Sequence, residues 1–198
     1  MQSSQDSQTP QLQEANLDYQ DLLQALRRKE GTWVSWGLAC QQLQKNGLNS
    51  QEIFEATGFE PIHQNQVMVA AQVYTSLVNG EANDATQQHF EQRGSDILYE
   101  LRILAQAERV TTAEFILEKR LEVDEAKELT KAFKEISYLP TLPEGFTQHP
   151  GDAVAYQCWQ MARQQSDLQV RSRLIAKGLR FAHSETARTK VESTSVSV

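Results

Sequence analysis

Cysteine, proline and glycine are scarce in this chain of 198 residues. The two cysteines, Cys40 and Cys158, are far apart and form no CxxC pair, which excludes a disulfide scaffold or a zinc ribbon. Five prolines and nine glycines provide too few turn signals for a β-sandwich or a β-barrel. No apolar run approaches the ~18 residues of a membrane span. These absences leave a helical protein without a membrane partner as the expected class.

The chain also lacks the short motifs that mark many enzymes. It contains no GxxxxGK[ST], GxGxxG or GxSxG sequence for a phosphate or a nucleophile. Its four histidines form no HExxH motif and no pair at metal-ligand spacing. Both cysteines lie in apolar helical stretches, where small core residues are more common than nucleophiles. We therefore predict a protein that is not an enzyme, with no catalytic residue, no metal site and no cofactor.

Helical periodicity, by contrast, continues along nearly the whole chain after Leu17. Residues 18–80 are predicted as a helix-turn-helix-like subdomain, with a capping box at Asn49 and Glu52. Residues 81–190 are predicted as a second helical subdomain, in which a capping box at Thr111 and Glu114 and caps at Asp124 and Asp152 begin three helices. Trp36 and Trp159 are expected in the two cores. The predicted fold class is all-α, a multi-helix domain with an amino-terminal helix-turn-helix-like subdomain.

The two ends of the chain have different compositions from the rest. Residues 1–17 are rich in Gln and Ser and contain no Lys or Arg, unlike a signal peptide or an organelle transit peptide. We expect a disordered lead-in there and a cytoplasmic protein. Residues 191–198 are rich in Ser, Thr and Val without a clear period, and we expect them to be the start of a linker.

The charge of the chain is acidic overall, at −7, which disfavours a general nucleic-acid binder. The predicted second helix of the helix-turn-helix, residues 50–57, carries two glutamates and no Lys or Arg. Placing it in a DNA groove would set like charges together, so packing or protein contact is the favoured use. A helix-turn-helix transcriptional regulator that binds DNA is the alternative hypothesis.

Positive charge is concentrated near the end of the chain, where residues 148–198 hold seven basic and four acidic side chains. One interpretation is a solvated helix face, and the other is an electrostatic docking surface for an acidic protein partner. The second interpretation, together with the exposed edge of the segment around Tyr99, gives the partner-binding candidates Tyr99, Glu100, Arg102, Arg163, Arg171, Arg173, Lys177 and Arg180.

Three segments resemble a known family. Residues 151–159 (GDAVAYQCW), residues 97–104 (ILYELRIL) followed by 113–116 (AEFI), and residues 181–188 (FAHSETAR) are similar in order and spacing to the amino-terminal helical part of Rubisco accumulation factors. The opening helix-turn-helix-like module shares the likeness, which covers about residues 18 to 192. Since no transit peptide is present, the cyanobacterial form is expected.

The resemblance implies a Rubisco assembly chaperone whose partner is the Rubisco large subunit. Helical domains of that family bind folded large-subunit dimers, stabilise them during assembly of the octameric core, and leave when small subunits bind. The family also implies a β-rich dimerisation domain after a linker, which this chain does not contain, so a monomer is expected. The resemblance implies no nucleotide, metal, nucleic-acid or membrane partner.

Overall fold

The computed structural model describes the backbone of residues 9–196 and the side chains of residues 19–194. Over this range the secondary structure is helical, without a strand. The eleven α-helices are α1 (Thr9–Arg28), α2 (Trp33–Lys45), α3 (Ser50–Thr57), α4 (Pro61–Asn79), α5 (Asp84–Gln92), α6 (Ser95–Glu100), α7 (Gln106–Lys119), α8 (Val123–Ser137), α9 (Pro150–Gln164), α10 (Leu168–Phe181) and α11 (Glu185–Val196), and a 3-10 helix, Leu101–Ile103, follows α6. The predicted all-α class is confirmed.

Local capping chemistry defines the turn between α2 and α3. The Asn49 side chain accepts hydrogen bonds from the backbone N–H groups of Gln51 and Glu52, at 2.9 and 3.0 Å. The Glu52 carboxylate in turn accepts from the Asn49 N–H at 2.7 Å, so the predicted capping box is confirmed. Gly58 ends α3 in the left-handed conformation, with φ at 74°. Three consecutive helices thus form the helix-turn-helix-like arrangement that the sequence predicts.

Three of the helix starts predicted further along are wrong, those of α7, α8 and α9. Helix α7 begins at Gln106, where the Glu108 carboxylate accepts a hydrogen bond from the Ala105 N–H at 3.0 Å, and Thr111 lies inside the helix. Helix α8 follows Glu122, so Asp124 belongs to its first turn rather than to its cap. The Thr-x-x-Glu spacing that marks a capping box also occurs on the surface of an amphipathic helix, so the spacing alone does not locate a start.

The helical part of the chain extends beyond the predicted limits at both ends. Residues 9–17, predicted as disordered lead-in, belong to α1, and residues 1–8 lie outside the described residues. Residues 191–196, predicted as linker, belong to α11, and residues 197–198 lie outside the described range. Val191 is fully buried and Thr194 nearly so, so this stretch packs as one face of a helix. Burial of Val191 and Thr194, which lie one turn apart, stabilises a helix here despite the Ser- and Thr-rich composition.

The largest hydrophobic cluster includes residues from both predicted subdomains. Trp33 and Leu77 from the first part share it with Leu98 and Leu129 from the second. The buried indole N–H of Trp33 also donates to the Phe90 carbonyl oxygen at 2.8 Å. Residues 18–80 and 81–190 therefore share one core across the predicted boundary. Within the described residues, no helix has the length and apolar character needed to cross a bilayer.

Candidate partner-binding surface

An aromatic cluster formed by α9 and the loop before it lies in the part of the surface formed by the last three helices. The rings of Phe146 and Tyr156 lie 5.7 and 6.0 Å from the ring of Trp159, centroid to centroid. Trp159 is half-buried and packs against a small apolar cluster, and Trp36 is half-buried against the larger clusters, so neither ring lies fully in a core as predicted. Since α9 packs against both α10 and α11, the partly exposed ring lies where the side chains of three helices converge.

Two cationic side chains lie over this ring, and a third lines the same cavity. The Arg163 guanidinium carbon lies 4.7 Å from the Trp159 ring centroid, and the Lys190 ammonium lies 5.7 Å from it. The guanidinium of Arg171 donates a hydrogen bond to the carbonyl oxygen of Thr194. Together they border an open cavity of about 370 Å³, which is lined by Trp159, Arg163, Arg171, Lys190, Ser193 and Thr194. Two predicted site residues, Arg163 and Arg171, are thus brought together.

Lys190 is a member of this group that sequence reasoning missed. Residues 191–198 were predicted as linker, which removed the helical period from this stretch. With α11 continued through residue 194, Ala187, Val191 and Thr194 form its buried stripe, and Lys190 lies beside that stripe. The helical period in this segment rests on only three buried residues, Ala187, Val191 and Thr194, which are small or β-branched, so it is a weak sequence pattern.

Lys177 and Arg180, predicted as part of the same positive surface, are instead paired with α8. The Lys177 ammonium lies 2.5 Å from the Glu128 carboxylate, and the Arg180 guanidinium lies 2.5 Å from the Glu125 carboxylate. The hydrogen bond from Arg180 is the main cause that holds the pKa of Glu125 below its usual value. Because their charges are matched within the protein, these two residues join α10 to α8 rather than forming a free basic patch.

Arg173 occupies a third environment on the same helix. Its side chain is exposed, and no polar partner for it occurs among the described residues. The five basic candidates therefore divide into a group around Trp159, a pair facing α8, and one solvated arginine.

Tyr99, Glu100 and Arg102 form a compact unit of their own. The Arg102 guanidinium stacks over the Tyr99 ring at 3.9 Å and donates to the Tyr99 carbonyl oxygen at 2.8 Å. The Glu100 carboxylate lies 3.7 Å from the same guanidinium. Arg102 is exposed, whereas Tyr99 and Glu100 are half-buried. This unit lies on α6 and the 3-10 helix that follows it, whereas the Trp159 group lies on α9, α10 and α11. Helix α6 packs against α4 and α8.

Asp152 connects α9 to the segments on either side of it. Although predicted as the cap of α9, it is fully buried inside the first turn, and His149 is the cap, accepting from the Gly151 N–H at 3.1 Å. One Asp152 oxygen accepts from the backbone N–H groups of His183 and Ser184, at 2.8 and 2.9 Å. Burial alone would raise the pKa of Asp152, but the hydrogen bonds from Ser184, Thr147 and His183 together outweigh it, so the pKa lies below its usual value. Asp152 is therefore an anionic anchor.

Two histidines stack beside this anchor. The rings of His149 and His183 lie 3.6 Å apart, nearly parallel, and the ring of Phe115 meets each of them edge-on. Burial, with a further contribution from the charge of His183, lowers the pKa of His149 to about 4. His149 is therefore neutral near pH 7, as its role as a hydrogen-bond acceptor requires.

The described residues contain no group of three or more His, Cys, Asp or Glu side chains arranged to hold a metal ion. Cys40 and Cys158 are free and buried, and burial raises the pKa of each thiol to about 11. Both thiols are protonated near pH 7 and are poor nucleophiles in that form. The prediction that they are small core residues is confirmed by their burial.

Comparison with known proteins assigns the two parts of the chain to two models of one family. Residues 18–78 match the helix-turn-helix domain of Rubisco accumulation factor 1. Residues 90–194 match the alpha helical domain of Rubisco accumulation factor 1. The second match alone covers more than half of the chain.

Individual relatives agree with this assignment. The chain is 58% identical over 173 residues to RuBisCO accumulation factor 1 of a Nostoc species and 54% identical over 172 residues to that of a Synechocystis species. Each match covers 87% of this chain and 48% of the relative. It is also 31% identical to the chloroplastic Rubisco accumulation factor 1 of Zea mays, over 89% of this chain and 40% of the relative. The chain thus spans about half the length of the curated cyanobacterial relatives it matches, and it belongs to the Rubisco accumulation factor 1 family.

Proposed function

We propose that this chain is the helical part of a Rubisco assembly chaperone. It binds folded Rubisco large subunits, stabilises their dimers during assembly of the octameric core, and is displaced by small subunits. Membership of the Rubisco accumulation factor 1 family is the observation that carries this proposal. The proposed activity is protein binding rather than catalysis, and on its own this chain is proposed to act as a monomer.

The proposed contact surface is the basic group around Trp159, with Arg173 and the Tyr99 unit as further contacts. In the group around Trp159, cationic side chains lie on an aromatic ring that is only half-buried. Arginines and aromatic residues are the side chains most often found at the centre of protein interfaces. Lys177 and Arg180 are left out of the surface, because their partners Glu128 and Glu125 already match their charges.

Native gel electrophoresis tests the function directly. The chain is mixed with folded large subunit, and the complex is expected to migrate as a separate band that disappears when small subunit is added. Duplex DNA is the second arm, because the alternative helix-turn-helix regulator requires DNA binding. Helix α3 contains two glutamates and no basic residue, so no shift is expected with DNA. A shift with DNA and none with the large subunit would refute the proposed function.

Charge reversal tests the surface. Arg163→Glu is expected to weaken large-subunit binding by about tenfold or more, because it replaces a cation at the centre of the proposed contact. Lys131→Glu is the matched control, since Lys131 is exposed on α8, outside the proposed surface. Equal binding by both variants would show that the contact lies elsewhere on the molecule.

A further inference from the structure

The cavity beside Trp159 combines positive charge with a partly covered aromatic floor. Arg163 and Lys190 lie over the indole ring, and Arg171 is held by the Thr194 carbonyl oxygen at the wall. The volume of about 370 Å³ is within the range of ~300–1,000 Å³ in which proteins bind ligands. The cations are thus held in place around a space rather than being spread over a flat surface.

The positive charges of Lys190 and Arg163 in this cavity are only loosely matched within the protein. The Glu144 carboxylate lies 3.9 Å from the Lys190 ammonium, but the Glu144 side chain is 95% exposed. An ion pair of this kind contributes little to stability and is easily exchanged. Arg163 has no carboxylate within ion-pair distance among the described residues. Lys177 and Arg180, in contrast, contact their carboxylates at 2.5 Å.

We propose that this cavity binds carboxylate side chains of an acidic peptide segment on the protein partner. This inference deepens the proposed function and depends on it for the identity of the partner. The preference of the cavity for carboxylates is independent of the proposed function. The Arg163 guanidinium offers paired N–H donors that match the geometry of a carboxylate, and Lys190 adds a point charge. An incoming carboxylate replaces Glu144 beside Lys190, so the exchange removes no well-formed internal ion pair.

A nucleic acid fits this cavity less well than an acidic peptide. Binding of single strands depends on bases that stack on exposed aromatic faces. Here Arg163 and Lys190 lie over the Trp159 ring, and Tyr156 stacks against it at 6.0 Å.

Fluorescence anisotropy with labelled peptides tests the proposal. The probe is fluorescein-labelled hexaglutamate, and labelled hexaglutamine is the uncharged comparison. We expect hexaglutamate to bind at low ionic strength, with affinity falling as salt is added, and hexaglutamine not to bind. Arg163→Gln and Lys190→Gln are each expected to weaken binding by about tenfold, because each removes one cation that faces the peptide. Arg173→Gln is the control, since it removes the same charge from the solvated part of α10 and is expected to change affinity less than about twofold.

Several outcomes would overturn the proposal. Equal affinity of wild type, Arg163→Gln and Arg173→Gln for hexaglutamate would show that net charge rather than the cavity is responsible. Equal competition by inorganic phosphate would indicate a general anion site, and tighter binding of labelled single-stranded DNA would indicate a nucleic-acid site. Since Arg163 is exposed, its substitution leaves folding intact, and urea unfolding checks this. Failure of the wild-type chain to bind large subunit while it binds hexaglutamate would refute the proposed partner but not the acidic-peptide site.

Discussion

Asp152 provides the sharpest test of how this fold is held together. It is fully buried, and its carboxylate accepts five hydrogen bonds. One oxygen accepts from the N–H groups of His183 and Ser184. The other accepts from the Thr147 N–H at 3.1 Å, and from the hydroxyl groups of Thr147 and Ser184 at 2.6 Å each. A single carboxylate therefore joins the loop before α9 to the turn between α10 and α11.

Replacement by asparagine separates charge from shape. If the amide nitrogen takes the position that faces Thr147, the hydroxyl groups can rotate to accept, but the Thr147 N–H faces another donor. If it takes the other position, two backbone N–H groups lose their acceptor. The first arrangement costs less, so Asp152→Asn is expected to lose about 3–4 kcal/mol, toward the lower end of the sum for one hydrogen bond to a charged group and one unsatisfied donor. Asp152→Ala removes all five hydrogen bonds and is expected to lose about 4–5 kcal/mol.

Urea unfolding followed by far-ultraviolet circular dichroism measures these losses as differences in the free energy of unfolding. Asp167→Asn is the matched control. Asp167 caps α10 by accepting from the N–H groups of Gln169 and Val170, but it is exposed, and asparagine caps helices about as well. A loss below about 0.5 kcal/mol is expected there. If Asp152→Asn cost no more than Asp167→Asn, the buried carboxylate would not be the anchor described above.

Two further predictions concern His149 and Gly37. The pKa of His149 is lowered from 6.5 to about 4, so between these values the unfolded chain binds more protons than the folded chain. The contribution of His149 to stability is therefore complete above pH 6.5 and is lost as the pH falls toward 4. The loss of unfolding free energy is at most roughly 3 kcal/mol. The variant His149→Asn keeps a capping acceptor but cannot titrate, so we expect it to flatten this part of a plot of unfolding free energy against pH. An unchanged slope would contradict the assignment. Gly37→Ala places a Cβ 2.3 Å from the Val67 carbonyl oxygen, so despite the higher helix propensity of alanine we expect a loss of about 1–3 kcal/mol in urea unfolding, and a gain in stability would show that α2 and α4 can separate at no cost.

Local chemistry explains which parts of the fold could be predicted from the sequence. The box at Asn49 and Glu52 and the left-handed Gly58 involve residues within a few positions of one another, so their roles are written in the local sequence. The helical structure of residues 191–194 depends on packing, since Val191 and Thr194 are buried, whereas composition alone suggested a linker there. A helix end fixed by burial is decided by distant contacts that a short sequence window does not contain.

The candidate surface was harder to predict because its charges find partners far away in the chain. Lys177 and Arg180 were assigned by their density on α10, but their carboxylates lie 49 and 55 residues earlier. Arg163 was predicted as a contact candidate while Trp159, four residues earlier, was expected in a core. The helix places them together at the surface. Charge density along the sequence therefore located the basic helices but did not separate the cations that pair with α8 from those around Trp159.

The core that joins the two family modules has a consequence for how they can be exchanged. The match to the helix-turn-helix domain ends at residue 78, and the match to the helical domain begins at residue 90. Yet Trp33 donates to the Phe90 carbonyl oxygen and packs in one cluster with Leu98 and Leu129. Recombination between distant relatives at residues 79–89 would combine two halves of one hydrophobic core that come from different proteins and whose contact residues have changed independently. Functional chimaeras are therefore expected to carry Trp33 and its contact residues from the same parent.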